Sequence, residues 1–117
     1  MSLPFTKHND DFSTAPQIQA DHIPHIVQSG FKTIINNRPD GEAGSAQPLS
    51  SDLAKAAEAA GVHYHYLPVV RGQYTQEQIE QMAHAIEHAP KPVFSFCGSG
   101  MRASELYALA IAHTSKK

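Results

Sequence analysis

The chain has 117 residues and a mass of 12.7 kDa, a length typical of one domain, and we treat residues 1–117 as one. With 41% hydrophobic residues, 17% charged residues and a net charge of −2, it is unlike disordered chains or proteins that bind nucleic acid through a basic surface. No apolar run approaches the roughly twenty residues of a membrane span, and the N-terminal residues Met1-Ser2-Leu3-Pro4 lack the basic-then-apolar layout of a secretory signal. We therefore expect a cytoplasmic protein that binds neither nucleic acid nor membrane.

Residues 1–11 and 114–117 are polar and are expected to be loose tails. Between them, apolar patterning predicts alternating strands and helices. A serine at position 50 or 51 is expected to cap the second helix, and Thr75 and Gln78 form a capping box for the third. In chain order the predicted elements are a strand at 12–15, a helix at 18–30, a strand at 31–35, a loop at 36–48, a helix from 50 to 60, a strand at 62–70, a helix after 75, a strand at 93–96 and a helix at 103–113.

This alternation is typical of an α/β domain. We predict a mostly parallel central sheet of four to five strands flanked by about four helices. The single cysteine, Cys97, follows the last predicted strand directly, and ligands of α/β sheets bind at such strand ends. One cysteine excludes an internal disulfide and a zinc site built on several thiolates.

The stretch from Cys97 to the last helix combines features that suit an anion. Two glycines let successive N–H groups point into one concavity, and the following helix adds the positive end of its dipole. Arg102 can donate two parallel hydrogen bonds to a tetrahedral oxyanion. The same positive field favours the thiolate form of Cys97, so one loop could both bind an anion and attack it. The alternative is a buried cysteine followed by a plain glycine turn.

Cysteine, a glycine-containing loop and an arginine at a helix start are shared by cysteine-dependent phosphatases and rhodaneses. From about residue 12 to 110, the chain resembles the bacterial dual-specificity-phosphatase-like family, whose domain also occurs fused to beta-lactamase hydrolase-like proteins. The matching segments are Ala15-Pro16-Gln17-Ile18, Gly30-Phe31-Lys32-Thr33-Ile34-Ile35-Asn36-Asn37-Arg38-Pro39-Asp40-Gly41, Leu67-Pro68-Val69 and the cysteine loop, which runs from Cys97 to Arg102.

The resemblance implies a compact cysteine-phosphatase-like fold and a phosphorylated substrate, with no metal or other cofactor. Cys97 would attack phosphorus and form a cysteinyl-phosphate. The oxygens would be held by the Arg102 guanidinium and by the backbone of the residues that follow the cysteine: Gly98, Ser99, Gly100, Met101, Arg102 and Ala103.

The chain departs from the wider phosphatase pattern. Only four residues separate Cys97 from Arg102, where most cysteine phosphatases have five and rhodaneses have four. Phe96 stands where a histidine is usual. Ala103 rather than a serine or threonine follows Arg102, which leaves Ser104 as a supporting hydroxyl.

The loop after Leu67-Pro68-Val69 lacks the usual aspartate general acid. Asp40 is the first candidate for that role, because its loop also follows a strand, and Glu42 is the second; the alternative for Asp40 is a plain turn residue. Arg38 could supplement anion binding or pair with a carboxylate.

Other polar residues carry weaker signals. His63 with His65, and His84 with His88, are spaced to share a metal, but neither pair has an evident third ligand, and exposed histidines are the default. Tyr64, Tyr66 and Tyr74 could line a cleft for an aromatic phosphate or simply pack.

Three functions remain open from the sequence. The leading one is a cysteine-dependent phosphatase of the protein tyrosine or dual-specificity type. The second is a rhodanese-type sulfurtransferase that carries a persulfide on Cys97. The third is a phospho-ligand binding module of low catalytic power.

Overall fold

The computed structural model describes residues 4–115, in which an N-terminal hairpin of two strands is followed by four α-helices that alternate with three further strands. The strands are β1 (Thr6–Asn9), β2 (Phe12–Ala15), β3 (Thr33–Asn36), β4 (His63–Tyr66) and β5 (Val93–Phe96). The helices are α1 (Ile23–Gln28), α2 (Ser50–Ala60), α3 (Gln76–His88) and α4 (Met101–Ser115). Short 3-10 turns at Ala20–His22 and Gly44–Ala46 precede α1 and α2.

The strands form one sheet in the order β1-β2-β5-β3-β4. β1 is antiparallel to β2, and the other neighbours are parallel, as the alternation of strands and helices predicts. The predicted α/β class and mostly parallel sheet are confirmed. No helix within residues 4–115 is both long and apolar enough to cross a membrane.

Helices cover both faces of the sheet. Ile34 and Phe94 point to one face, where they pack with residues of α1 and α2 such as Ile26 and Leu53. The next residues along the same strands point to the opposite face, where α3 and α4 lie. This alternation is the two-residue period of a strand, and it explains why the central strands read as continuous apolar runs.

Local signals set several helix ends. Thr75 and Gln78 form the predicted capping box at the start of α3. Gly61 ends α2 in the left-handed conformation, with φ of 78°. The predicted serine cap of α2 is wrong: Leu49 occupies the cap position, and the Asp40 carboxylate accepts the Ser50 N–H at 2.8 Å.

Other boundaries also differ from prediction. The helix predicted at 18–30 is shorter, with a 3-10 turn at Ala20–His22 followed by α1 at Ile23–Gln28. Residues 6–9 form β1 instead of a loose tail, and every residue of this edge strand is exposed, so it carries no apolar alternation to read. The strand predicted at 62–70 is regular only over His63–Tyr66, before Pro68, which has no N–H to donate. Helix α4 begins at Met101 and continues through residues 114 and 115; residues 1–3 and 116–117 of the predicted tails lie outside the described chain.

Candidate active site

Three neighbouring parallel strands end level with one another. The register pairs Ala15 of β2 with Phe96 of β5, and Phe96 with Asn36 of β3. The chain segments that leave these strands therefore meet at one edge of the sheet. They bring together Cys97, Gln17 and Arg38.

Cys97 is fully buried at this edge. Its N–H donates to the Ala15 carbonyl at 3.2 Å, and the Gly98 carbonyl accepts the Gln17 N–H at 3.3 Å, so the end of β2 fixes the start of the loop. The Gly100 N–H donates to Cys97 Sγ at 3.1 Å. A donor aimed at sulfur stabilises negative charge there, as a nucleophilic thiolate requires.

Gly100 cannot readily be replaced. Its φ of 94° is in the left-handed region, and an added Cβ would lie 3.3 Å from the Ala15 carbonyl carbon. Gly98 faces a different neighbour, because its added Cβ would lie 3.4 Å from the guanidinium carbon of Arg38. Arg38 therefore lies directly against the cysteine loop.

Arg102 lies in the first turn of α4, mostly buried, with 14% of its side chain exposed. Its two terminal nitrogens Nη1 and Nη2 donate to the two oxygens of Glu42, each at 2.9 Å, and Nη1 also donates to the Val69 carbonyl at 3.0 Å. The hydrogen bonds to Glu42 raise the pKa of Arg102, so it stays a cation.

The Nε atom of Arg102 is in a different situation. It is buried, and among residues 4–115 it is the only such side-chain nitrogen or oxygen without a hydrogen-bond partner. A buried donor without a partner costs free energy unless an acceptor arrives. Because a guanidinium presents Nε and one terminal nitrogen along a second edge, Arg102 can offer that edge to an oxyanion while Glu42 holds the other.

Glu42 joins the two arginines of the site. Its Oε1 accepts from Arg38 Nε as well as from Arg102 Nη2, both at 2.9 Å. The Arg102 hydrogen bond, with help from Arg38, holds the pKa of Glu42 below its usual value despite partial burial. Arg38 is further fixed by Gln17 Oε1, which accepts from its Nη1 at 3.2 Å.

Asp40 lies elsewhere in its loop. Its carboxylate accepts the Ser50 N–H at the start of α2, and its own N–H donates to the Tyr66 hydroxyl at 2.9 Å. Within residues 4–115 the hydrogen bonds of Asp40 join it to α2 and β4, with none to Cys97 or Arg102. The structure thus supports the alternative of a structural turn residue, and a role as general acid stays a prediction.

The remaining predicted loop residues differ in exposure. Met101 is half exposed, Ala103 is fully buried, and the Ser99 hydroxyl accepts the Met101 N–H at 3.3 Å. The Ser104 hydroxyl donates to the Gly100 carbonyl at 3.0 Å and contacts the Thr14 hydroxyl at 3.0 Å. Ser104 therefore supports the loop rather than contacting the sulfur through a hydrogen bond.

Sequence reasoning missed Gln17 and Thr14. Both belong to β2 or follow it directly, and the level strand ends place them beside the cysteine loop. The order of strands in the sheet would have revealed this, but the sequence alone does not fix that order.

The tyrosines predicted as a cleft lining have separate partners. Tyr64 contacts the Ser50 hydroxyl at 2.8 Å, and burial raises its pKa. Tyr66 binds the N–H of Asp40, as described above, and Tyr74 donates to Glu105. These contacts favour the packing interpretation.

The histidine pairs gain no third ligand among residues 4–115. The rings of His84 and His88 are 4.4 Å apart, centroid to centroid. In the described part of the chain, no three histidine, cysteine, aspartate or glutamate side chains gather closely enough to hold a metal ion.

Residues 5–114 match the family described as the phosphatase-like domain of beta-lactamase hydrolase-like proteins. The chain belongs to this family. It is 38% identical over 104 residues to a beta-lactamase hydrolase-like protein of Agrobacterium fabrum, a match that covers 89% of this chain. The chain spans about a quarter (24%) of that relative's length, so the match concerns one part of a longer protein.

Solved structures of related proteins share the fold. An inferred phosphatase of Neisseria meningitidis superimposes with a TM-score of 0.79 at 33% identity, covering 87% of this chain and 72% of the other. A mutant form of Tk-PTP superimposes with a TM-score of 0.76 at 15% identity, covering 97% and 73%, which shows likeness of fold alone. The family assignment makes this chain a phosphatase-like domain.

Proposed function

We propose that the chain is a cysteine-dependent phosphatase of the protein tyrosine or dual-specificity type, acting on phosphate monoesters. The observation that carries the proposal is the arrangement around Cys97. The Gly100 N–H meets the sulfur at 3.1 Å, and Arg102, at the other end of the same loop, keeps a buried Nε donor free for an oxyanion.

The reaction proceeds in two displacements. The Cys97 thiolate attacks phosphorus, an S–P bond forms, and the P–O bond to the leaving group breaks, with the departing oxygen taking its proton from solvent water. Water then attacks the cysteinyl-phosphate, the S–P bond breaks, and inorganic phosphate leaves with the thiolate restored. Arg102 and the loop amides stabilise the charge on the transferring oxygens in both steps.

The leaving group decides how much acid catalysis matters. The Asp40 carboxylate accepts the Ser50 N–H, and the lowered pKa of Glu42, which lies between two arginines, keeps that carboxylate ionised at neutral pH. Acid catalysis typically contributes about 10²–10⁴-fold. We therefore expect aryl phosphates, whose leaving groups need little protonation, to be better substrates than alkyl phosphates.

The first test compares the wild-type protein with Cys97→Ser and Arg102→Ala on para-nitrophenyl phosphate. We expect both substitutions to abolish release of the phenol and vanadate to inhibit the wild type. Turnover that survives Cys97→Ser would refute the proposal.

A second candidate is supported by the loop length. With four residues between Cys97 and Arg102, the loop has the spacing of rhodaneses. In that chemistry the thiolate attacks the outer sulfur of thiosulfate, sulfite leaves, and the resulting persulfide transfers its sulfur to cyanide as thiocyanate. Thiosulfate and cyanide should be tested on the same samples. Thiocyanate formation without phosphate release would select this function.

A further inference from the structure

A series of hydrogen bonds through two hydroxyl groups runs from β1 to the cysteine loop. His8 Nε2 lies 2.8 Å from Thr14 Oγ1, Thr14 Oγ1 lies 3.0 Å from Ser104 Oγ, and Ser104 Oγ donates to the Gly100 carbonyl at 3.0 Å. Thr14 is almost fully buried on β2, while His8 is exposed on the edge strand. Neither residue contacts Cys97 through a hydrogen bond.

The hydrogen bonds from His8 to Gly100 have one direction that satisfies every donor and acceptor. A hydroxyl has a single hydrogen, and Ser104 uses its own on the Gly100 carbonyl. Thr14 must therefore donate to Ser104, and its oxygen must accept from His8. This direction requires a hydrogen on His8 Nε2, which the Nε2–H neutral tautomer and the imidazolium both have.

This series of hydrogen bonds ends at Gly100, whose N–H faces the proposed nucleophile Cys97. The Gly100 carbonyl receives two donors, the Ser104 hydroxyl and the Ser104 N–H, at 3.0 and 3.1 Å. On its other side, the N–H of Gly100 points at Cys97 Sγ. Gly100 has a φ of 94°, and a glycine can also adopt several other backbone conformations. The orientation of the Gly100 N–H therefore depends on the hydrogen bonds that hold this residue.

We propose that Thr14 is a positioning residue whose hydroxyl, supported by His8, orients Ser104 and through it keeps the Gly100 N–H directed at Cys97 Sγ. This rests on the proposed role of Cys97 as a thiolate nucleophile. It gives the edge strand β1 and the central strand β2 a part in the site, although neither carries a group that touches the reacting atoms. A buried hydroxyl in a strand interior is otherwise costly, and here both of its neighbours satisfy it.

Three variants test the proposal. Thr14→Val removes the hydroxyl and keeps the shape, whereas Thr14→Ser keeps the hydroxyl. Thr33→Val is the matched control, because Thr33 is also buried in a parallel strand and donates to the Pro90 carbonyl, away from the cysteine loop. Because the chain has one cysteine, the ultraviolet absorbance of the thiolate can be followed against pH, with the Cys97→Ser form of each variant as blank.

We expect Thr14→Val to lower the thiolate fraction about two- to tenfold at pH values below the wild-type midpoint, the effect of weakening one hydrogen bond. Thr14→Ser and Thr33→Val should follow the wild type. A wild-type titration in Thr14→Val, or an equal change in Thr33→Val, would overturn the proposal. If Thr14→Val does not fold, Ser104→Ala, at a half-buried position, breaks the same series of hydrogen bonds and must show the same loss.

The two proposals fail separately. If para-nitrophenyl phosphate is not hydrolysed but Thr14→Val still lowers the thiolate fraction, the phosphatase function is wrong and the positioning role stands. If Cys97 is required for turnover but Thr14→Val titrates as the wild type does, the function stands and the positioning role is wrong.

Discussion

Glu42 is the residue whose replacement we expect to be most informative. Its carboxylate accepts three hydrogen bonds of 2.9 Å from two arginines, and its side chain is 33% exposed. In Glu42→Gln the amide can still accept, but two guanidinium groups that share one oxygen lose the charge that neutralises them. The protein should therefore become less stable at neutral pH.

The magnitude lies between two limits. Hydrogen bonds to buried charges contribute about 1.5–3 kcal/mol each, and exposed ion pairs at most about 1 kcal/mol. For a carboxylate that is one-third exposed, we expect a loss of about 1–2 kcal/mol in the free energy of unfolding. In a chain of this length, that corresponds to a fall in Tm of about 4–10 °C.

The pH dependence of this loss provides a stricter test. Because the folded protein lowers the pKa of Glu42 below its unfolded value of 4.5, the stabilisation is fully present above that value. It is lost as pH falls through the folded pKa, where the carboxylate takes a proton. The Tm difference between wild type and Glu42→Gln should thus be constant near neutral pH and shrink below about pH 4.5.

Thermal unfolding followed by circular dichroism measures both effects. Glu58→Gln is the matched control, because Glu58 is exposed on α2 and makes no ion pair within residues 4–115. A Glu42→Gln protein as stable as Glu58→Gln at neutral pH would refute the reasoning. So would a Tm difference that persists at low pH.

Three further predictions concern other residues. Gly100→Ala should lower the free energy of unfolding by about 2–3 kcal/mol and remove most of the activity, because this position combines a positive φ with contact to Ala15. Gly72→Ala, at a position with positive φ but open space, should lower it by about 1 kcal/mol and keep the activity. Unfolding and turnover assays measure both effects. Asp40→Asn should retain the fall in rate on the basic side of the pH–rate profile. It should lose at most about 1 kcal/mol of stability, because the amide oxygen can still accept the Ser50 N–H. A flattened basic side would instead identify Asp40 as the general acid. Burial and the hydrogen bond to Glu105 raise the pKa of Tyr74 to about 12. Tyr74→Phe should therefore leave the phenolate absorbance of the protein unchanged below about pH 11, and a change in that absorbance would contradict the raised pKa.

The sequence predicted the fold class because the central strands are apolar on both faces. Phe94 and Ile35 belong to runs that only a covered sheet explains, and Gly61 and Thr75 mark helix ends with their own chemistry. Strand β1 was missed because its side chains are exposed at the sheet edge. β1 is held in the sheet by its backbone pairing with β2. Such pairing produces no pattern of apolar residues in the sequence.

The cysteine loop could be predicted as one unit because its residues are consecutive. The partners of Arg102 could not, since Glu42 and Val69 come from two other loops that meet only when β3 and β5 become neighbours. Asp40 and Glu42 are only two residues apart, yet Asp40 bonds to α2 and β4 whereas Glu42 bonds to the two arginines of the site. That turn is fixed by contacts with α2 and β4, which local sequence does not encode.

The central place of β5 has a consequence for amide hydrogen exchange. β5 pairs on both sides, and the strand that leads to Cys97 should exchange its amides only when the whole domain unfolds. Residues 41–46 are exposed and should exchange early, although Glu42 in their midst reaches Arg102. Slowed exchange on adding vanadate at residues 41–46 and in the cysteine loop, with the amides of β5 unchanged, would therefore report occupancy of the anion site.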